Sequence, residues 1–173
     1  MKRIFLIGYM GAGKTTVGKV LSQQLGLSFI DLDHYIEGRY HKTVGQLFAE
    51  RGEEAFRDIE RRMLREVAAF EDVLVSTGGG APCFFDNMEF MNGAGQTVYL
   101  KVSVEELAKR LELCKSTRPI LEGRSGDELR AFIAESLKKR EPFYSKAAIV
   151  FEAEEMMTDQ DVYKISQELA TRL

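Results

Sequence analysis

The residues with the clearest capacity for chemistry lie near the start of the sequence, in the segment Gly8-Tyr9-Met10-Gly11-Ala12-Gly13-Lys14-Thr15. This segment matches the phosphate-binding loop pattern GxxxxGKS/T at every fixed position. In such a loop the glycines let backbone N–H groups converge on phosphate oxygens, while Lys14 adds a positive charge and the Thr15 hydroxyl can ligate magnesium. The segment therefore predicts a binding site for a nucleoside triphosphate.

The residues on either side of this loop have the pattern that such a site requires. The apolar run Ile4-Phe5-Leu6-Ile7 before it is typical of a buried parallel strand. After it, apolar residues recur at helical spacing as far as Gly26, a candidate helix C-cap. They are Val17, Val20, Leu21 and Leu25. Strand, loop and helix together favour a phosphate site over a glycine-rich turn that merely opens a helix.

Four further apolar runs predict strands, and helix-patterned stretches separate them. The runs are Ser28–Ile30, Val73–Val75, Thr97–Leu100 and Ala148–Phe151. Capping boxes predict helix starts at Thr43 with Gln46, Ser103 with Glu106 and Ser125 with Glu128. A long amphipathic helix is predicted near residues 53–69, with Phe56, Ile59, Met63 and Val67 on one face. This alternation predicts an α/β protein with a parallel sheet covered by helices on both faces.

Length and composition limit the possible classes of protein. The 173 residues predict a single domain over residues 1–173. A net charge of −3 lacks the basic excess that nucleic-acid binding needs, so nucleic acid is not expected as a partner. No apolar run approaches the roughly 18 residues of a membrane span, and no membrane association is expected. Cys83 and Cys114 have no metal-ligand spacing, which fits a cytoplasmic protein.

The residues that follow the second and third strands suggest what surrounds the phosphate site. The third strand ends in Ser76-Thr77 rather than in an aspartate, so a carboxylate for magnesium must come from elsewhere. Asp31 and Asp33 after the second strand are the candidates, although an Asp-x-Asp pair is also common in turns. Since the carboxyl ends of parallel strands share one edge, these residues and Gly78-Gly79-Gly80 should face the loop. The glycine run indicates either close approach to a ligand or a flexible turn.

A basic stretch from Cys114 to Gly126 interrupts the helical pattern. It contains Pro119, two glycines and three basic residues and lies between two predicted helices. Such a stretch is either a surface connector or a mobile lid over phosphates. The phosphate site elsewhere in the sequence favours the lid.

Six segments occur in the order and spacing found in the shikimate kinases, which this sequence resembles over nearly its whole length. The first three are the phosphate-binding loop with Lys14-Thr15-Thr16, Asp31-Leu32-Asp33, and Phe56-Arg57-Asp58-Ile59-Glu60. The others are Ser76-Thr77-Gly78-Gly79-Gly80, Arg118-Pro119-Ile120-Leu121, and Arg140-Glu141-Pro142-Phe143-Tyr144. The resemblance implies a P-loop kinase that uses ATP to phosphorylate the 3-hydroxyl of shikimate in the pathway to aromatic amino acids. It also implies a three-layer α/β/α fold similar to that of nucleoside monophosphate kinases, with a five-stranded parallel sheet of order 2-3-1-4-5.

The resemblance also implies how this sequence would hold ATP and magnesium. The phosphates would lie against Gly11, Ala12, Gly13, Lys14, Thr15 and Thr16. Thr15 would ligate Mg²⁺ directly, and Asp31 and Ser76 would reach it through water. Arg110 would stack on adenine, and Arg118 on the lid, residues 114–126, would meet the transferring phosphate.

A substrate region at about residues 33–61 is implied in the same way. Asp33 would bind the substrate hydroxyls, Arg57 and Arg140 would hold its carboxylate, and the Gly78, Gly79 and Gly80 backbone would support its ring. Lys14, Asp33 and Arg118 would be the catalytic residues, with Asp33 either orienting or deprotonating the attacking hydroxyl. From its own surroundings in the sequence, Arg57 reads as a solvated residue of a highly charged helix.

Two other functions fit the sequence less closely. One is a P-loop kinase of the same shape that acts on another small polyol such as gluconate, or on a nucleotide. The other is a nucleotide-gated binding module without catalysis, against which the presence of Lys14, Asp33 and Arg118 argues. We expect the protein to act as a monomer on ATP and a small-molecule substrate.

Overall fold

The computed structural model describes residues 1–113 and 126–173. Its strands are β1 Arg3–Ile7, β2 Ser28–Asp31, β3 Val73–Ser76, β4 Gln96–Lys101 and β5 Ile149–Glu152. Its first helices are α1 Lys14–Leu25, α2 Leu32–Tyr40, α3 Val44–Ala68 and a 3-10 helix at Ala81–Cys83. They are followed by α4 Asn87–Ala94, α5 Val104–Glu112, α6 Gly126–Tyr144 and α7 Asp159–Arg172.

The five strands form one parallel sheet in the order β2-β3-β1-β4-β5. This is the predicted order, and all five predicted strands are confirmed within a residue or two. β5 begins at Ile149 rather than at the predicted Ala148. The Ala148 N–H donates to the Thr97 hydroxyl at 2.8 Å.

Alternate residues of each central strand enter two hydrophobic cores on opposite faces of the sheet. In β1, Ile4 and Leu6 pack into one core together with residues of α1, α5 and α7. Phe5 and Ile7 pack into the other core with residues of α2, α3 and α4. Helices therefore cover both faces, which confirms the three-layer α/β/α arrangement.

Helix α1 follows the predicted pattern in detail. Val17 and Leu21 are fully buried against the sheet. The helix ends at Gly26, whose φ of 68° is left-handed and whose N–H donates to carbonyls of the last turn. The predicted C-cap is confirmed.

Helix α3 contains both the helix start predicted at Thr43 and the helix predicted near residues 53–69. The Thr43 and Gln46 capping box is complete and the helix begins at Val44, which confirms the predicted start. Gly52 interrupts it with φ 82° and ψ 169°, a backbone conformation that favours glycine. The predicted apolar face after this break is confirmed, since Phe56, Ile59, Met63 and Val67 are all buried.

Of the two remaining predicted capping boxes, one lies among the described residues and one does not. The Ser103 hydroxyl accepts a hydrogen bond from the Glu106 N–H at the start of α5. Ser125 and the predicted lid lie outside the described residues, except for Gly126, which begins α6. Within the two described ranges, no helix has both the length and the apolar character needed to cross a membrane.

Candidate active site

The phosphate-binding loop connects β1 to α1 and closes around its own lysine. Gly8, Gly11 and Gly13 have φ values of 151°, 84° and 94°, in the range that favours glycine. The Lys14 ammonium donates to the carbonyl oxygens of Gly8 at 2.7 Å and Tyr9 at 3.0 Å. Its charge is therefore held in the hollow of the loop, where phosphate oxygens would bind.

A cleft of about 1070 Å³ opens beside this loop at the carboxyl ends of β1, β2 and β3. It exceeds the usual range for a small-molecule pocket and has room for two ligands. Most of the predicted site residues line it: Gly11, Gly13, Lys14, Thr15, Thr16, Asp31, Asp33, Arg57, Ser76, Gly78, Gly79, Gly80, Arg110 and Arg140. Ala12 is buried within the loop. Arg118 lies outside the described residues.

Oxygen atoms suited to a magnesium ion meet at the start of α1. The Thr15 hydroxyl donates to Asp31 Oδ2 at 2.9 Å, and Asp31 Oδ1 caps α2 by accepting from the His34 N–H. Ser76 is buried and pairs with Asp31 in the sheet. Among residues 1–113 and 126–173, no cluster of three or more His, Cys, Asp or Glu side chains could hold a metal. This donor set fits Mg²⁺, which keeps several waters and binds through few protein ligands plus phosphates.

Beside the Gly78-Gly79-Gly80 turn, a glutamate is buried against an arginine. Glu60 is 1% exposed, and its Oε1 accepts from Arg57 Nη1 at 2.9 Å. Burial raises the pKa of Glu60 to about 7, although the positive charge of Arg57 opposes the shift. Burial also raises the pKa of Asp33, and the nearby Asp31 carboxylate adds to this while Lys14 opposes it. Both carboxyl groups therefore hold protons more readily than exposed ones.

Two guanidinium groups in this region have N–H groups to offer a ligand. Arg57 Nε and Arg140 Nη1 are buried and have no hydrogen-bond partner in the part of the chain that the structure describes. Arg140 lies over the Tyr9 ring, with its Cζ 5.2 Å from the ring centroid. Because buried donors are nearly always paired in folded proteins, an anionic group is the expected partner here.

The Gly78-Gly79-Gly80 turn leaves room for these charged side chains. A Cβ on Gly78 would lie 3.0 Å from Asp33 Oδ1, and one on Gly79 would lie 3.1 Å from Arg140 Nη1. A Cβ on Gly80 would come within 2.7 Å of the Arg57 guanidinium. None of the three glycines has a positive φ, so these positions need small residues for space and not for backbone conformation. The glycine run thus lies close to charged side chains, and its predicted close approach to a ligand stays a prediction.

Arg110 ties the phosphate-binding loop to the segment after β5. Its Nη1 donates to the carbonyls of Gly11 and Ala12, and its Nη2 donates to those of Ala153 and Glu154 at 2.9 and 2.8 Å. The structure thus places Arg110 beside the loop. Its contact with adenine stays a prediction.

Three residues of the site were assigned no role from the sequence. Glu60 could have been found from its i,i+3 spacing to Arg57. Tyr144 is buried within α6, and its hydroxyl donates to the Gly79 carbonyl. A Cβ placed on Gly13 would lie only 1.8 Å from the Met156 methyl, so the Met156 side chain covers the loop. No local pattern marks these last two residues, because both contacts join segments far apart in the chain.

A phosphate-binding loop, oxygen donors beside it and a cationic pocket in the same cleft are together the features of a P-loop protein. The family model of shikimate kinase matches residues 10–170. A shikimate kinase of Parabacteroides distasonis is 78% identical over 169 residues, which are 98% of each chain. This chain belongs to the shikimate kinase family, as the six sequence segments predicted.

Solved structures agree over the whole length. A crystal structure of shikimate kinase from Bacteroides thetaiotaomicron has a TM-score of 0.93 at 54% identity, covering 99% of this chain and 97% of that one. A shikimate kinase from Acinetobacter baumannii in complex with shikimate has a TM-score of 0.88 at 33% identity, covering 99% and 92%. The fold implied by the resemblance is confirmed.

The first prediction concerns the charge inside the loop. We expect Lys14→Met to keep the fold and to lose at least about a hundredfold in turnover, since a single well-placed stabilising donor contributes that much to phosphoryl or acyl transfer. Release of ADP measures the rate, and circular dichroism checks the fold. Lys164→Met on the exposed face of α7 is the matched control and should be fully active. A normal rate in Lys14→Met would contradict the assignment of the loop.

The second prediction concerns the buried glutamate and the pH dependence of stability. The pKa of Glu60 rises from 4.5 to about 7 on folding, so the folded state binds more protons between these values. The free energy of unfolding contributed by Glu60 must then fall as pH rises from about 4.5 to about 7. Relative to wild type, Glu60→Gln should gain stability over this range, by up to about 3 kcal/mol.

Urea unfolding between pH 5 and pH 8 measures this difference. Glu53→Gln is the matched control, because Glu53 pairs with the same Arg57 at 3.5 Å but is 60% exposed. A difference between Glu60→Gln and wild type that stays constant with pH, or that Glu53→Gln reproduces, would contradict the role of Glu60.

Proposed function

We propose that this protein transfers the γ-phosphoryl group of ATP to the 3-hydroxyl of shikimate. The observation that carries the proposal is the pair Arg57 and Arg140, which meet at the Gly78–Gly80 turn beside Asp33, in the same cleft as the phosphate-binding loop. Shikimate is a small carboxylate with several hydroxyls, so its site needs a cationic fork and a hydroxyl acceptor. The names of the relatives, shikimate kinases with one in complex with shikimate, support the same substrate.

The arginine pair suits a carboxylate better than lysines would. A guanidinium is planar and can form two parallel, charge-assisted hydrogen bonds to one carboxylate. The unpaired N–H groups of Arg57 and Arg140 are donors of this kind. We propose that these two residues bind the carboxylate, that Asp33 binds the hydroxyls and that the Gly78–Gly80 backbone supports the ring.

We propose that the nucleotide binds along the phosphate-binding loop. Residues 11–16 would hold the phosphates, and Arg110 would contact the adenine. Thr15 would bind Mg²⁺ directly, with Asp31 and Ser76 reaching it through water. The ion would neutralise charge on the phosphate oxygens.

For transfer, the 3-oxygen forms a bond to the γ-phosphorus while the bond to the leaving ADP oxygen breaks. Asp33 takes the hydroxyl proton or holds it in line, and its raised pKa brings its basicity closer to neutral pH. Lys14 stays beside the outer phosphates as charge moves to the leaving oxygen. Arg118, predicted to meet the transferring phosphate, lies outside the described residues.

An assay for ADP release with shikimate present and absent tests the proposal directly. Gluconate, nucleoside monophosphates and neutral sugars serve as alternative acceptors, and the arginine pair predicts no turnover of neutral sugars. Binding of ATP and shikimate without release of ADP would indicate a binding module instead of an enzyme. We further propose that the protein acts as a cytoplasmic monomer, with one kinase domain.

The third prediction tests the carboxylate site. Arg57→Ala and Arg140→Ala should each weaken shikimate binding by about ten- to a hundredfold, because each removes a charged hydrogen-bonding partner. ATP affinity, measured by calorimetry, should barely change. Arg61→Ala, on the same helix and stacked on the exposed Phe85, is the control and should bind shikimate normally. Normal shikimate affinity in both test variants would show that the two arginines have a structural role and do not bind the carboxylate.

The fourth prediction tests Asp33. Asp33→Asn keeps the shape of the side chain but removes its charge and basicity, so ATP affinity should survive. Turnover should fall by about a hundredfold or more, the usual contribution of a general base. Asp58→Asn, an exposed carboxylate on α3, is the control. Near-normal turnover in Asp33→Asn would mean that other groups align the hydroxyl and that no base is needed.

A further inference from the structure

Three arginines at four-residue spacing on α3 each lie over a phenylalanine from the segment that follows the glycine turn. The distances from Cζ to the ring centroid are 4.2 Å for Arg57 over Phe84, 4.9 Å for Arg61 over Phe85 and 4.5 Å for Arg65 over Phe90. All three lie within the range of a cation–π interaction, which strengthens as the pair is removed from water. The closest of the three is the one at the cleft.

Arg57 differs from the other two in its surroundings. Its side chain is 12% exposed, it lines the cleft, and its guanidinium lies against Gly80. Phe84 does not line the cleft. The Phe48 and Phe56 rings lie 5.5 Å from the Arg57 Cζ, so Phe84 at 4.2 Å is the nearest of the three rings around this guanidinium.

The backbone around Phe84 is fixed on both sides of the residue. Phe84 directly follows the 3-10 helix Ala81–Cys83. The buried Asn87 side chain donates to the Ala81 carbonyl at 2.9 Å, and the Asn87 N–H donates to the Phe84 carbonyl at 3.2 Å. These bonds hold the ring at a constant place relative to the glycine turn.

Two of the five N–H donors of Arg57 point to glutamates of its own helix. Glu60 takes one bond from Nη1, and Glu53 lies 3.5 Å from Nη2. An aromatic ring stacked on the face of a guanidinium stabilises its positive charge and its orientation. The N–H groups point outward in the plane of the guanidinium, so the ring does not accept hydrogen bonds from them. Stacking on Phe84 therefore leaves the edge of the fork available to a carboxylate.

We propose that Phe84 is a positioning residue for substrate binding, which fixes the plane of the Arg57 guanidinium as a receptor for the substrate carboxylate. This inference rests on the proposed function. It means that Phe84, a residue outside the cleft, contributes to the affinity for the acid substrate. It also predicts that affinity for the acid and affinity for ATP respond separately to the ring.

Phe84→Leu tests the inference, because leucine keeps an apolar side chain and removes the aromatic face. Shikimate affinity should fall by about three- to thirtyfold, the range that a cation–π pair spans between exposed and desolvated sites. The Michaelis constant for shikimate should rise accordingly, while the turnover number at saturating shikimate and the ATP affinity stay close to wild type. Phe84→Tyr keeps the ring and should keep most of the affinity.

Two controls separate positioning from a general effect on packing. Phe85→Leu removes the neighbouring ring, which stacks on Arg61 and is 52% exposed, and should leave shikimate affinity unchanged. In an Arg57→Ala background, Phe84→Leu should have no further effect on the Michaelis constant for shikimate.

The outcomes that overturn the inference are distinct. They are an unchanged affinity in Phe84→Leu, an equal loss in Phe84→Tyr and Phe84→Leu, or the same loss with and without Arg57. If wild type itself neither bound nor phosphorylated shikimate, the proposed function would fail instead. Wild-type binding with any of the three outcomes above would overturn only the role of Phe84.

Discussion

Parallel pairing of β1, β2 and β3 brings residues from distant parts of the chain to one edge of the sheet. In the register of these strands, Ser76 lies beside Leu6 on one side and beside Asp31 on the other. Whatever follows each strand must then begin at the same edge: the phosphate-binding loop after β1, α2 after β2 and the glycine turn after β3. The crevice at the carboxyl ends of parallel strands is where α/β proteins bind ligands, and the cleft lies there.

Buried charge in this cleft gives the site its chemical character. Taking an ionised group out of water is costly unless it is paired, and the pKa of about 7 for Glu60 shows that Arg57 does not fully compensate its burial. The arginines keep unpaired donors, and the glycine turn leaves space around them. A substrate anion would pair those donors. This arrangement therefore favours an acid as a ligand.

Several features of the fold were predictable from the sequence because they depend on residues close together in the chain. The phosphate-binding loop is a local backbone conformation that glycines permit, and the buried strand before it and the helix after it are marked by their apolar periodicity. Gly26 ends α1 through its own left-handed φ. Thr43 and Gln46 start α3 through two bonds between residues three apart, while the break at Gly52 was missed because a single glycine within a helical pattern is often tolerated.

The phosphate-binding loop, the strand and helix pattern and, through six spaced segments, the family could all be predicted from the amino-acid sequence. Which charged side chains are buried depends on the tertiary structure. Arg57 stands in a highly charged helix and would be solvated if its neighbours in the chain set its environment, yet its side chain is only 12% exposed. Burial depends on what packs against a residue. The partners of Arg57 include Gly80 and Phe84, more than twenty positions away, and no local pattern specifies that they will meet it.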